Sequence, residues 1–332
     1  MKAIIPVAGV GLKLRPHTHT QPKTLVPIAG KPILSHIVDR LLAGGIKDFI
    51  FVLGYLGDKI ETYIRENYGQ KINATYITQE PREGSAHAIW VTKPYIAEEK
   101  EVLIVLGDTI ANANLDTFLN SKVSMVGVQK VKDPTLFGIA EINADQFAIQ
   151  LVEKPKIPKS NLALVGIYKI CNVNRFLDAI QYLIDNNIRQ NNEFYLTDAL
   201  MRLIEQGEPI KTTRVDNWFD CGKKETILEA NAILLNNAFH KKKKYQFPKT
   251  IIIEPVSIGE NCTISHAIIG PNVAIGENTI IKGSIISNSI IGSFSELEDV
   301  VLKNSVIGND SSLKGLVQSL NIGDSTEINF NK

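Results

Sequence analysis

The sequence predicts an α/β domain built on a mostly parallel sheet, followed by a parallel β-helix. Three observations carry this. Short apolar runs alternate with amphipathic stretches up to about residue 215. Ile-Gly pairs then recur at Ile258-Gly259, Ile269-Gly270, Ile275-Gly276, Ile291-Gly292, Ile307-Gly308 and Ile322-Gly323. A length of 332 residues allows two domains with a sizeable core.

The elements follow in order. "KAIIPVA", "DFIFVLG" and "EVLIVLGD" are short and nearly all apolar, as strands buried on both faces should be. "PILSHIVDRLLAGG", which ends on a glycine stop, and "GDKIETYIRENYG" supply the helices between them. Strand alternating with helix implies a Rossmann-like sheet with helices on both sides and ligands at the carboxyl ends of the strands. The loop Ala8–Lys13 and the loop after Leu106 should both lie there. "KETILEANAILLNNAFHKKKKY" predicts a helix and then a linker, with Lys241–Lys244 as a solvated charge run. Beyond it, β-branched runs spaced by about six residues, or about fifteen to sixteen per coil, predict stacked coils. These should bury an Ile and Val ladder, with glycine permitting the tight corners. The expected boundaries are 1–240 for the first domain, 241–250 for the linker and 251–332 for the β-helix.

Composition excludes several classes. Net charge is +1, which argues against a bulk binder of nucleic acid or anionic membrane. Cys171, Cys221 and Cys262 lie far apart, so neither a disulfide frame nor a zinc site is expected. "MKAIIPVAG" is too short an apolar run for a signal peptide, and no stretch is long enough to span a membrane. A cytoplasmic protein is expected.

"PVAGVGLKLRP" combines small residues, which let backbone N–H groups approach oxygens, with cations that hold phosphate charge. Asp108 follows an apolar run, and Asp220 lies close to lysines in "WFDCGKKE". Plain roles exist for each. Asp108 would cap a helix, Asp220 would pair a lysine, Gln79 would be a loop amide and Gly84 would start a helix. His17 and His19 have no third ligand nearby in sequence, and loop contacts suit them better than a metal. Trp218 and Tyr168 suit packing.

Five motifs occur in a fixed order: "IPVAGVGLKLRP", "TQPKTLVPIAGKPIL", "VLGDTI", "LVEKPKIPKSNLALVGIY" and "WFDCGKKE". Together they resemble the sugar-1-phosphate nucleotidyltransferases over almost the whole chain. The likeness is strongest to glucose-1-phosphate thymidylyltransferases of the long form, with a C-terminal left-handed β-helix of hexapeptide repeats. The resemblance implies an enzyme that joins a nucleoside triphosphate, dTTP or UTP, to a sugar 1-phosphate such as glucose 1-phosphate, with Mg²⁺ as cofactor. It implies that Ala8, Gly9 and Gly11 line the nucleotide and that Lys23 contacts the triphosphate. Gln79 and Gly84 would meet the base, and Asp108 and Asp220 would hold magnesium. Lys154 would grip the sugar phosphate, Glu153 a sugar hydroxyl, and Gly138 and Gly166 would border the sugar. Nucleic acid and membrane are not implied as partners; the stacked ends and faces of the β-helix need covering, either by the first domain or by another subunit of a homo-oligomer.

The first motif departs from the family at two positions. Leu12 replaces a hydroxyl and Lys13 an arginine, which keeps a cation but loses the planar fork. Lys13 is then the expected loop cation, with Arg15 next in line. The departure leaves room for a second reading, a weakened relative that binds nucleotide sugars or regulates a partner. Acyl transfer by the β-helix is a third, disfavoured by the short repeat segment without a long inserted loop.

Overall fold

The computed structural model describes residues 1–236, 245–318 and 320–329. The lysine run 241–244 lies outside the described residues, as does that part of the expected linker. The described chain forms two compact units. One comprises Met1–Gly9 and Ile37–Trp218, the other Val10–His36 and Phe219–Lys332.

The first unit is built on a nine-stranded sheet. In chain order its strands are β1 (Lys2–Pro6), β2 (Asp48–Leu53), β3 (Asn73–Thr78), β4 (Val102–Val105), β5 (Ser124–Lys130), β6 (Gly138–Ile142), β7 (Ala148–Glu153), β8 (Leu162–Ile170) and β9 (Ile210–Arg214). The three apolar runs named from sequence are β1, β2 and β4. They pair in parallel, with Ile4 opposite Ile50 and Ile104, and β3 continues the parallel set beside β2. Burial on both faces explains why these strands carry almost no polar residues. Strand β8 is buried along its whole length and runs antiparallel to β4, β5 and β6. It thus joins the parallel set to the hairpin β6–β7, while β9 pairs with β5 in parallel.

Helices α1 (Ile33–Ala43) and α2 (Gly57–Tyr68) occupy the two amphipathic stretches identified in the sequence. Helices α3 (Ser85–Trp90), α4 (Val173–Asp185) and α5 (Leu196–Glu205) follow. Phe176, Ile180, Leu200 and Leu203 from α4 and α5 are buried with Ile4 and Ile104 of the sheet in one core. Burying each such side chain contributes about 1.5–3 kcal/mol.

The second unit carries α6 (Lys224–Asn236) and the stacked coils. Short strands repeat in register: Ile258 pairs with Ile275, Ile275 with Ile291, Ile291 with Ile307 and Ile307 with Ile322. A second ladder runs through Ile264, Ile281, Leu297 and Leu313. All nine side chains are buried, as the repeat predicts for parallel coils. Four of the ladder glycines have a different task from the one expected, while Gly270 takes a positive φ of 109°. Gly259, Gly276, Gly292 and Gly308 follow the ladder because the next coil's backbone passes where a Cβ would stand; at Gly292 it would lie 2.4 Å from the Gly308 carbonyl carbon. Positive φ in the coils falls on Gly270, Gly283 and Gly315 and, more often, on residues with a side chain, among them Asn261, Asn272, Asn278, Asn288 and Asn304. Asparagine tolerates this region better than other side chains. Buried corner hydroxyls of Thr279, Ser295 and Ser311 donate to the carbonyls of Gly292, Gly308 and Gly323, so coil closure leaves these groups paired.

The segment Val10–Leu25 belongs to this second unit. His17, buried, donates from Nε2 to Asn321 Oδ1 at 2.5 Å. Thr20 donates to Asp324 Oδ2 at 2.5 Å, and Pro16 stands where a Cβ on Gly323 would reach. The glycine-bearing loop is therefore moored to the fifth coil. Burial lowers the His17 pKa, against opposing pulls from Asn321 and Asp324.

Candidate active site

In the first unit the turn after β4 places Asp108. Leu106 N–H donates to Gly166 O at 2.9 Å and Gly107 N–H to Pro6 O at 3.2 Å, so the turn is tied to β8 and to the end of β1. Gly166 sits where the β8–β5 register shifts, at φ 81°, and a Cβ there would meet Thr109 Oγ1 at 2.7 Å. Only glycine fits that position. Arg40 of α1 donates to the carbonyls of Ala111 and Ala113 and holds the chain beyond Asp108.

Ala8 and Gly9 follow β1, and Ala8 O accepts from Tyr55 N–H at 3.3 Å. Gly54 is needed because a side chain there would strike Ala8. Gly9 has nothing within 4 Å of a would-be Cβ, so open space borders it. Gln79 ends the β3 edge and is buried; its Nε2 donates to Gly84 O at 2.9 Å. Gly84 precedes α3 at φ 102°, with the Phe194 carbonyl 2.6 Å from a would-be Cβ. It does start a helix, and it also meets Gln79.

The β6–β7 hairpin brings Gly138, Glu153 and Lys154 together. Glu153 Oε1 lies 3.2 Å from Lys154 Nζ, and its Oε2 accepts from Thr197 Oγ1 at 2.7 Å. A Cβ on Gly138 would touch Glu153 Oε2 and Thr197 Oγ1, both at 3.0 Å. Lys154 adopts φ 40°, and its ammonium lies 5.0 Å from the centre of the Tyr195 ring. Burial opposes its charge, but Glu153, then Tyr195 and Glu193, outweigh burial and raise its pKa. Burial and the Glu153 charge raise Asp198 to about 6, while Gln190 donates to it. Tyr168 is buried, and burial, Glu153 and Asp108 push its phenol well above the ordinary value. Trp218 packs edge-on against Phe137, with centroids 4.9 Å apart.

In the second unit Gly11 takes φ 70° and accepts from Thr18 Oγ1 at 2.9 Å. Lys23 follows Pro22 in a short helical turn, and its Nζ lies 3.9 Å from Asp220 Oδ1. Gly222 passes close to both; a Cβ there would be 3.1 Å from Asp220 Oδ1 and 3.5 Å from Lys23 Nζ. Lys13 lines an open cleft of about 540 Å³ with Lys223, Lys224, Glu225 and Asn321. Leu12 is 62 % exposed.

The structure therefore groups Glu153, Lys154 and Gly138, joins Gln79 to Gly84, and sets Lys23 beside Asp220. Asp108 belongs to the first unit and Asp220 to the second. Reading the sequence missed Thr197, Tyr195 and Asp198, which reach Glu153 and Lys154 from the start of α5. It also missed His87, which meets Gln79, and the pair Lys223 and Lys224. The motif text "WFDCGKKE" contains those last two, but nothing in their spacing singles them out.

Residues 2–237 match the family described as nucleotidyl transferase. The chain is 33% identical over 317 residues to the low-salt glycan biosynthesis nucleotidyltransferase Agl11 of Haloferax volcanii, covering 88% of this chain and 87% of that protein. It is 30% identical over 308 residues to a glucose-1-phosphate thymidylyltransferase of Streptomyces antibioticus, covering 90% and 83%. A crystal structure from Bacillus anthracis, described as that of a glucose-1-phosphate thymidylyltransferase with a sucrose, superposes with a TM-score of 0.62 at 27% identity, covering 73% of this chain and 98% of that one. The chain belongs to the nucleotidyl transferase family and is a nucleotidyltransferase of the sugar-phosphate type.

Proposed function

We propose that the protein transfers a nucleotidyl group from a pyrimidine nucleoside triphosphate, dTTP or UTP, to glucose 1-phosphate, with Mg²⁺, releasing pyrophosphate. A phosphate oxygen of the sugar phosphate attacks the α-phosphorus, and the bond to the β-phosphate oxygen breaks. Both reactants are anions, so the protein must neutralise repulsion and hold the reacting oxygens in line. Lys154 serves the sugar phosphate and Lys23 the triphosphate; Lys13 adds loop charge. Glu153, held by Thr197, accepts from a sugar hydroxyl, while Gly138 and Gly166 leave room for the ring. Ala8, Gly9 and Gly11 line the nucleotide, and Gln79 and Gly84 meet the base.

Asp108 and Asp220 offer hard oxygen donors that suit Mg²⁺. Among the described residues no group of three or more His, Cys, Asp or Glu could hold a metal, so phosphate oxygens and water would complete the shell. When bound, the ion neutralises charge building up on the phosphates.

The observation that carries this reading is Lys154, a cation with raised pKa fixed beside Glu153 in an unfavourable backbone conformation. The test is pyrophosphate release with Mg²⁺, screening nucleoside triphosphates against sugar 1-phosphates. Turnover with UTP or dTTP and glucose 1-phosphate is expected. Tight binding of nucleotide sugar with no turnover of any pair would favour the regulatory reading instead, for which exposed Leu12 in the hydroxyl position speaks.

A further inference from the structure

Gln79 is 4 % exposed, and its carboxamide is held from one side only. Nε2 donates to Gly84 O at 2.9 Å and lies 3.3 Å from Nδ1 of His87. A backbone carbonyl only accepts, so the amide nitrogen must face Gly84. The same nitrogen then faces His87, and Nδ1 must offer its lone pair. The ring proton is left on Nε2, which lies 3.9 Å from Glu83 Oε2, and the Pro81 backbone is a further hydrogen-bond partner of the ring.

The ring is built to stay in this state. His87 is buried and stacks on Trp90, with centroids 5.8 Å apart and planes 18° apart. Trp90 Nε1 donates to Gln181 at 2.8 Å, and Arg189 holds Glu83 at 2.8 Å. Burial lowers the His87 pKa, with Arg189 in the same direction and Glu83 and Pro81 opposed, so the ring is neutral near pH 7. Among the described residues Gln79 Oε1 accepts no hydrogen bond and is not one of the fully buried unpaired atoms, so it is an acceptor that a ligand can reach.

We propose that His87 is a positioning residue that locks the Gln79 carboxamide with its oxygen toward the nucleotide base, so that the site takes pyrimidines with a ring N–H and rejects cytosine. Uracil and thymine carry a proton on N3; cytosine N3 carries a lone pair, which would face the lone pairs of Oε1. A buried polar group left unpaired is the strongest source of discrimination a small site has. The proposal rests on the reading that Gln79 meets the base.

Two measurements test it. The first is the ratio of kcat/KM for UTP or dTTP to that for CTP in wild type, His87→Leu and His87→Asn. Leucine removes the acceptor, and the ratio should fall by about tenfold or more. Asparagine can place Oδ1 near the Nδ1 position and should restore most of it, which a purely structural role would not predict. The second is ¹⁵N NMR of the wild-type His87 ring, which needs no variant and should show a neutral ring protonated on Nε2 at pH 7. A wild type that prefers purine triphosphates strikes down the base reading of Gln79. A wild type that prefers UTP or dTTP, with the ratio unchanged in His87→Leu, overturns the role of His87 alone. So does a ring protonated on Nδ1.

Discussion

Lys154 occupies a left-handed backbone conformation at φ 40°, costly for any residue with a Cβ. Its N–H donates to Phe137 O at 3.0 Å, which pins it there with the ammonium beside Glu153. Lys154→Gly separates the two roles. Glycine fits the backbone, so unfolding stability should rise by up to about 1 kcal/mol. Use of sugar 1-phosphate should fall by roughly tenfold to a hundredfold for want of a charge-assisted contact. A urea melt and a kcat/KM titration read both; a destabilised variant would remove strain from the account. Asp198 makes a pH prediction. Its folded pKa of about 6 lies above the ordinary 3.8, so the folded chain binds this proton more tightly than the unfolded one. Stability from this group is complete below about pH 4 and falls as pH rises to about 6. Asp198→Asn should flatten that fall, which denaturant midpoints at pH 4.5 and 7 would show; an unchanged difference would exclude the group. The candidates that the sequence offered lie inside glycine- or proline-marked motifs, such as Lys23, Gly138 and Lys154. Thr197, Tyr195 and His87 stayed hidden, because each acts through a neighbour more than five residues away that only folding supplies.

Among the elements, β1, β2, β4, α1 and α2 were legible because burial on two faces and burial on one face write different periods. The antiparallel course of β8 was not, since a fully buried strand carries no mark of its direction. The coils were legible for a related reason: every coil repeats the same inward isoleucine. What the repeat concealed is why glycine follows it. The spacing of Ile-Gly pairs looks the same whether glycine turns a corner or yields to the neighbouring coil. Substitution tells them apart. Gly292→Ala would place a methyl 2.4 Å from the next coil and should cost about 1–3 kcal/mol or more. Gly9→Ala, with nothing within 4 Å, should leave the melting temperature nearly unchanged while weakening triphosphate binding. Equal melting temperatures for Gly292→Ala and wild type would contradict the stacking role.

For the whole molecule, the expected split at residues 241–250 describes the order of the sequence. The compact units divide otherwise, because Val10–His36 groups with Phe219 and the residues after it. No sequence period reports such a grouping, since it depends on contacts about three hundred residues apart, as between His17 and Asn321. Asn321→Ala with Asp324→Ala should loosen the loop without unstacking the coils. KM for the triphosphate should rise severalfold while KM for the sugar phosphate holds; equal rises in both would place the effect elsewhere.

The mooring of His17 and Thr20 to Asn321 and Asp324 also sets a condition in time. A ribosome makes the loop first, and the two residues that anchor it follow only after 304 more have been added. Until then the loop lacks its anchor, however well the sheet has folded. A chain cut off one coil early would carry every residue assigned to the chemistry and still hold the loop slack. Stepwise truncation from the C-terminal side should therefore cost activity at the first coil removed, ahead of any loss of helical signal in circular dichroism. Activity that declined only in step with unfolding would show that the loop keeps its shape unaided.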